Sequence, residues 1–181
     1  MPIRSTCMTR DALRTLAIAV LIAAKTDAGI SVFAPRDWPE SPRLLPALAV
    51  QTPSERKENL ARGQRQFNTT ITLAILARVT GSSGADTEEA LERLCAQVEN
   101  AILSSQAFTG EIQQFTRVET AMVVDAGGEQ PIGEASVVFD VEVFQIFDPD
   151  GPVPLVSVLG TVTHPVTNLP LIGVPVSLPI V

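Results

Sequence analysis

QFNTTITLAILARV, residues 66–79, is the stretch that decides the fold. Phe67, Thr69, Ile71, Leu73, Ile75, Ala77 and Val79 fall on one side of an extended chain. Gln66, Asn68, Thr70, Thr72, Ala74, Leu76 and Arg78 fall on the other. Successive side chains of a strand point to opposite faces, so this alternation predicts a long strand with one face on a core. Gly81-Ser82-Ser83-Gly84 ends it.

Toward the C-terminus, Leu91, Leu94, Cys95, Val98, Ala101 and Ile102 recur at helical spacing. They predict an amphipathic helix over about residues 87–104. Asp86 followed by Glu89 has capping-box spacing, and Glu89–Arg93 is a favourable i,i+4 pair. Residues 115–124 and 135–147 read as two more strands joined by an Asp/Gly-containing loop. In the second, Ala135, Val137, Phe139, Val141 and Val143 share one face. Asp140 and Glu142 lie on the other face with Val138 and Phe144. That mixed face is expected to be solvated or covered by another subunit.

Toward the N-terminus, residues 9–25 predict a helix, with Thr9 or Asp11 near its start and Gly29 just beyond its end. It is apolar on most sides from Leu16 onward, which predicts burial on several faces. The alternative is an exported protein in which Leu16–Ala24 is the apolar region of a signal peptide. Asp11 before the run and Lys25 directly after it argue against export. Residues 1–8 are expected to be disordered. A short strand is expected at 30–33 and another at 47–51 (ALAVQ). Between them, Pro35, Pro39, Pro42 and Pro46 impose a stiff loop containing Trp38, the only tryptophan. Trp38 either packs that loop onto the domain or anchors an interface. Residues 52–65 (TPSERKENLARGQR) are expected to form a solvated hairpin loop. The alternative is a docking loop that presents Arg56, Lys57, Arg62 and Arg65 to an acidic partner.

Composition narrows the function. At 181 residues and 45% apolar, the chain suits one domain with its own core. A formal net charge of -7 and the absence of Tyr disfavour specific nucleic-acid binding. The apolar run 16–24 is too short to span a membrane. Cys95 lies on the apolar helix face and predicts a buried free thiol. Nothing in the sequence supports a Cys7–Cys95 disulfide, which favours a reducing compartment. Residues 151–181 contain no Asp, Glu, Lys or Arg, and carry six prolines. So apolar a tail needs cover, and we read it as an extended arm laid on a neighbouring subunit or partner, or folded back on its own domain.

Reactive chemistry is hard to place. The only histidine, His164, sits in that arm. No Cys/His cluster, nucleophile elbow, P-loop or dinucleotide fingerprint is present. Asp148-Pro149-Asp150-Gly151 lacks the remaining ligands of a calcium loop. No enzyme, metal or cofactor is expected.

The order of segments resembles the tail terminator proteins of long-tailed phages, of the minor tail protein U type. The resemblance runs over about residues 10–147. An N-terminal helix leads to LPALAV (Leu45–Val50) and then to a polar loop. The alternating strand Phe67–Val79, the acidic-capped helix Glu88–Leu103 and a hairpin from Arg117 to Gln145 follow. The resemblance implies an α+β fold, with two helices on a mostly antiparallel sheet. It implies a hexameric ring at the head-proximal end of the tail, which stops tube growth and presents the head-joining surface. Implied partners are further copies of the chain, the tail tube protein, a connector or neck protein and the tail sheath protein. The implied location is the virion, after assembly in the host cytoplasm. Val138, Phe144 and Ile146 fit a sheet face that a ring neighbour covers. The arm 151–181 departs from the family pattern, and a different neck or head–tail joining protein is the alternative it leaves open.

Overall fold

The computed structural model describes residues 8–34, 45–63, 65–125 and 130–147. The N-terminal tail 1–7, the loop segment 35–44 with Trp38, Gln64, residues 126–129 and the arm 148–181 lie outside the described residues. The chain order is α1 (Arg10–Ala24), β1 (Val32–Phe33), β2 (Ala47–Asn59), β3 (Gln66–Thr80), α2 (Gly84–Ser104), α3 (Gln106–Thr109), β4 (Gln114–Asp125) and β5 (Ile132–Ile146). The strands form one sheet in the order β1-β2-β3-β5-β4. Only the β1–β2 pairing is parallel. The fold is α+β, with helices packed on a mostly antiparallel sheet.

β3 is the middle strand, and its alternation sets the core. Ile71, Leu73, Ile75, Ala77 and Val79 are buried beside Val137, Phe139, Val141 and Val143 of β5. The two strands pair without a break from Gln66–Ile146 to Thr80–Ile132. α2 lays Leu91, Leu94, Cys95, Val98 and Ile102 on this surface. Cys95 is the buried free thiol expected from its position. Burial, with Glu99 and Glu92 adding to it, pushes its pKa up to about 11.

Five local readings change. The N-cap of α2 is Ser83, not Asp86: the Ser83 hydroxyl accepts from the Asp86 backbone N–H at 3.2 Å. Asp86 is the third helical residue, and its carboxylate takes the Ser82 hydroxyl. The cap therefore lies three residues nearer the N-terminus than the sequence places it. α1 is a core helix whose fully buried face is narrow, Leu13, Ala17 and Leu21, with Leu16, Ile18 and Val20 partly buried against the core. Ile22 is 40% exposed, because small Ala residues interrupt the stripe around it and no described element covers that side. Met8, read from sequence as part of the N-terminal tail, is half-buried against the core, and its carbonyl accepts from Gln145. α3, not foreseen, is capped by Ser105 and drives Phe108 fully into the core. There the Phe108 ring stacks on Phe115 at 5.9 Å.

The largest change is at residues 52–59, expected to be loop, which continue β2. Ser54–Asn59 pair with Phe67–Thr72 of β3 after a bulge at Thr52-Pro53. The bulge accommodates the missing proline N–H. This half of β2 projects past the apolar core, so polar side chains occupy both of its faces and no alternation marks it. The remaining hairpin loop is short, and Gly63 takes a left-handed conformation in it (φ 82°).

Gly81 and Gly133 let the first turn of α2 close onto the sheet end. A Cβ on Gly81 would lie 2.6 Å from Thr87 Oγ1 and 2.9 Å from the Thr87 backbone nitrogen. Thr87 is itself fixed by its hydroxyl bond to the Ser83 carbonyl at 2.8 Å. Gly81→Ala is expected to destabilise the domain by about 1–3 kcal/mol through overpacking, measured by urea unfolding. In a Cys7→Ser background, Cys95 is expected to resist aromatic disulfide reagents at pH 8 until the domain unfolds. Rapid labelling of the folded protein would show that the helix–sheet interface opens.

Candidate functional site

Three surfaces remain once the helices cover one sheet face. The first holds the basic residues expected to form a docking loop. The structure divides them. Arg56 and Lys57 are adjacent on β2 and therefore point to opposite sheet faces. Arg56 is exposed and pairs with Glu58 at 2.7 Å on its own face. Lys57 turns to the helix side, where it bonds Glu55 and Gln145 and lies 5.3 Å over the Phe147 ring. Arg62 and Arg65 sit exposed in the short hairpin loop. Arg56, Arg62 and Arg65 are thus at one end of the sheet, and Lys57 belongs to a structural cluster beneath them. Trp38, the fifth residue assigned to partner binding, lies outside the described residues.

Gln145 organises that cluster. It continues the core-facing phase of β5 and is 2% exposed. Its carbonyl oxygen accepts from Thr69 Oγ1 at 3.0 Å and from Lys57, and its amide nitrogen donates to the Met8 carbonyl. A buried amide satisfied on both sides fixes the polar end of the core. Beside it a cleft of about 530 Å³ opens between the N-terminus of α1 and β2. Arg14 bonds Asp11, and Glu55 is shared between Lys57 and Arg10, the latter 3.5 Å away. Three cations thus face two acids, and the cleft keeps one net positive charge. Among the described residues no group of three or more His, Cys, Asp or Glu is placed to hold a metal ion.

The second surface is the sheet face opposite the helices. Its centre is a hydrogen-bonded polar belt that crosses four strands. Ser54 bonds Thr72 at 2.9 Å, and Thr72 bonds Asp140 at 2.9 Å. Asp140 accepts from Arg117 at 2.9 Å, and Arg117 also bonds Glu119 at 2.9 Å. Glu142 gathers Asn68 and Gln114 one row away. Asp140 and Glu142 are therefore cross-strand anchors as well as surface carboxylates. Arg117 and Thr72 were not singled out from sequence, because their role depends on which residue lies opposite each. Phe144 and Ile146 flank the belt at one end and Val138 at the other, with Phe144 39% exposed.

The third surface is the outer side of β4, which has no further strand beside it among the described residues and is exposed along nearly its whole length. Val118, Met122 and Val123 are exposed there. A separate clasp closes the other side of the molecule. Asp27 accepts from Arg93 at 2.8 Å and Gln97 at 3.0 Å, and its backbone N–H donates to Gln97 at 2.7 Å. These contacts tie the end of α1 to α2. The Arg93 and then the Gln97 hydrogen bond hold the Asp27 carboxyl below its ordinary value.

No family model matches the chain, and no curated protein matches it. Among solved structures, a chain of the virion of a native gene transfer agent particle is similar at 16% identity and a TM-score of 0.39. The similarity covers 78% of this chain and 99% of that one. No helix among the described residues is long and apolar enough to cross a membrane.

Two measurements probe these arrangements. Because the folded pKa of Asp27 is depressed, its contribution is complete above the unfolded value of about 3.9 and is lost as pH falls through the folded value. The stability difference between the wild type and Asp27→Asn is therefore expected to be flat above about pH 5 and to shrink below about pH 4. A difference that stays constant into acid would remove the clasp. Thr72→Val, which cuts the polar belt at its middle, is expected to cost about 1 kcal/mol in denaturant unfolding.

Proposed function

We propose that this protein is a non-catalytic structural subunit of a phage virion: a ring-forming tail terminator that caps the tail tube. The order of elements carries the reading. A core helix, LPALAV leading into β2, the long alternating β3, the capped α2 and the β4–β5 hairpin occupy the spans on which the resemblance rests. The surfaces are consistent with assembly. The sheet has one face without a described helix, and that face mixes a rigid hydrogen-bonded belt with apolar flanks. A ring neighbour or tube layer is expected to bury such a face, since shape and polar pairing together give register.

In this reading the mechanism is a steric block. The ring occupies the last tube layer and hides the surface that the next tube subunit requires. Arg56, Arg62 and Arg65 are the cations positioned to meet an acidic tube surface. Lys57 is excluded from that set, because reversing it would place a carboxylate beside Glu55 and strip Gln145 of a donor. Triple reversal of Arg56, Arg62 and Arg65 is expected to weaken capping while shifting stability by no more than about 0.5 kcal/mol per site. Undiminished capping by a folded triple variant would sink this contact assignment.

The deciding experiment is tail length, by electron microscopy, in particles assembled without this protein. Overlong tails without heads are the expected result. Tails of normal length that fail to join heads would move the protein to the neck or head–tail joint. Normal, joined particles would overturn a role in the virion.

A further inference from the structure

Two strands of the sheet carry the same pair, Arg-x-Glu, on the same face. On β2 the pair is Arg56 and Glu58, and on β4 it is Arg117 and Glu119. Arg56 and Glu58 lie opposite Thr70 and Asn68 of β3, and Arg117 and Glu119 lie opposite Asp140 and Val138 of β5. All four therefore sit on the sheet face away from the helices. Their side chains are between 55% and 80% exposed, so each Arg meets its own Glu in solvent, where such a pair adds little stability.

Both pairs lie on edges. β1 pairs with β2 at Leu48 and Ala49, and Ser54–Glu58 have β3 as their one strand neighbour among the described residues. β4 ends the strand order, and Arg117–Val124 have β5 as their one strand neighbour among the described residues. Edge strands present backbone groups that can pair with another chain, and charge on an edge discourages indiscriminate pairing. The same charges can admit one arrangement and reject its neighbours.

Topology sets the direction. β2, β3, β5 and β4 are antiparallel in turn, so β2 and β4 run in opposite directions. A sheet continued from β4 of one copy to β2 of another therefore joins them antiparallel. Arg-x-Glu set antiparallel against Arg-x-Glu puts each Arg opposite a Glu: Arg56 faces Glu119, and Glu58 faces Arg117. The same register sets Ser54 opposite Ala121. A slip of two residues one way opposes Glu58 to Glu119, and the other way opposes Arg56 to Arg117, both unfavourable. A slip of one residue puts the two charge pairs on opposite faces. Following the row Ser54–Thr72–Asp140–Arg117 into the second copy leads to Glu58, four residues along. A sheet needs such a stagger to close on itself.

We propose that Ser54–Glu58 on the β2 edge of one copy pair antiparallel with Arg117–Ala121 on the β4 edge of a second copy, in the register set by Arg56–Glu119 and Glu58–Arg117. The contact joins two different edges, so it repeats head to tail, and a repeat that closes gives a ring. It concerns self-association and stands whether or not the assembly caps a tail. Arg56 is then used between copies, and Arg62 and Arg65 are left for a tube layer.

The test uses the purified full-length chain with no other virion component, so a tube surface cannot account for the result. Ser54→Cys and Ala121→Cys are introduced together in a Cys7→Ser background. Within one chain β3 and β5 separate these positions by three strand spacings of about 4.8 Å, beyond disulfide reach. Directly opposed strand residues lie within it. Mild oxidation is expected to give covalent multimers on non-reducing gels. Ser54→Cys with Val123→Cys, two residues out of register, is expected to give a several-fold lower yield. No multimers, or equal yields from the two designs, would overturn the proposal. Charge reversal tests the register independently. Glu119→Arg alone and Arg56→Glu alone are each expected to lower the light-scattering mass from an oligomer toward the 19.3 kDa chain, with an unchanged circular dichroism spectrum. The double variant is expected to restore the oligomer. A wild type at the mass of one chain, single reversals that leave the mass unmoved, or a double variant that is not restored would each overturn it.

Discussion

The register of β3 between β2 and β5 is the constraint on which the rest of the structure depends. β3 is paired along both edges, and its odd-numbered residues from Thr69 to Val79 form the floor on which α1 and α2 rest. A slip of one residue would send Ile71, Leu73 and Ile75 to the open face and Thr70 and Thr72 into the core. The polar belt reinforces the same register from the other side. Thr72 reaches Ser54 and Asp140 only when the three strands are aligned as they are. Apolar burial on one face and hydrogen bonding on the other thus select a single pairing.

This division explains what was legible in the sequence. β3, β5 and the apolar stripe of α2 announced themselves, because each is buried on one side and wet on the other. The second half of β2 did not. It has water on both faces, so its residues satisfy the strand with backbone pairing and cross-strand polar contacts that leave no period. α3 is one turn long and leaves too short a stripe to read; its signal is Ser105 three residues before Phe108. The cap of α2 was misplaced for a related reason. Several small polar residues precede the helix, and only the geometry of the Ser83 hydroxyl separates the cap from the first turn.

The basic residues show the limit of reading sites from spacing. Arg56 and Lys57 are neighbours in sequence and face opposite ways, a direct consequence of their lying on a strand. Had residues 52–65 been a loop, the four cations could have converged. With Arg56 and Lys57 on β2 the four cannot, and Glu58 and Glu55 pair with those two. Gln145 shows the converse. Its identity suggests surface, while its phase on β5 places it in the core, where Thr69, Lys57 and the Met8 carbonyl satisfy it.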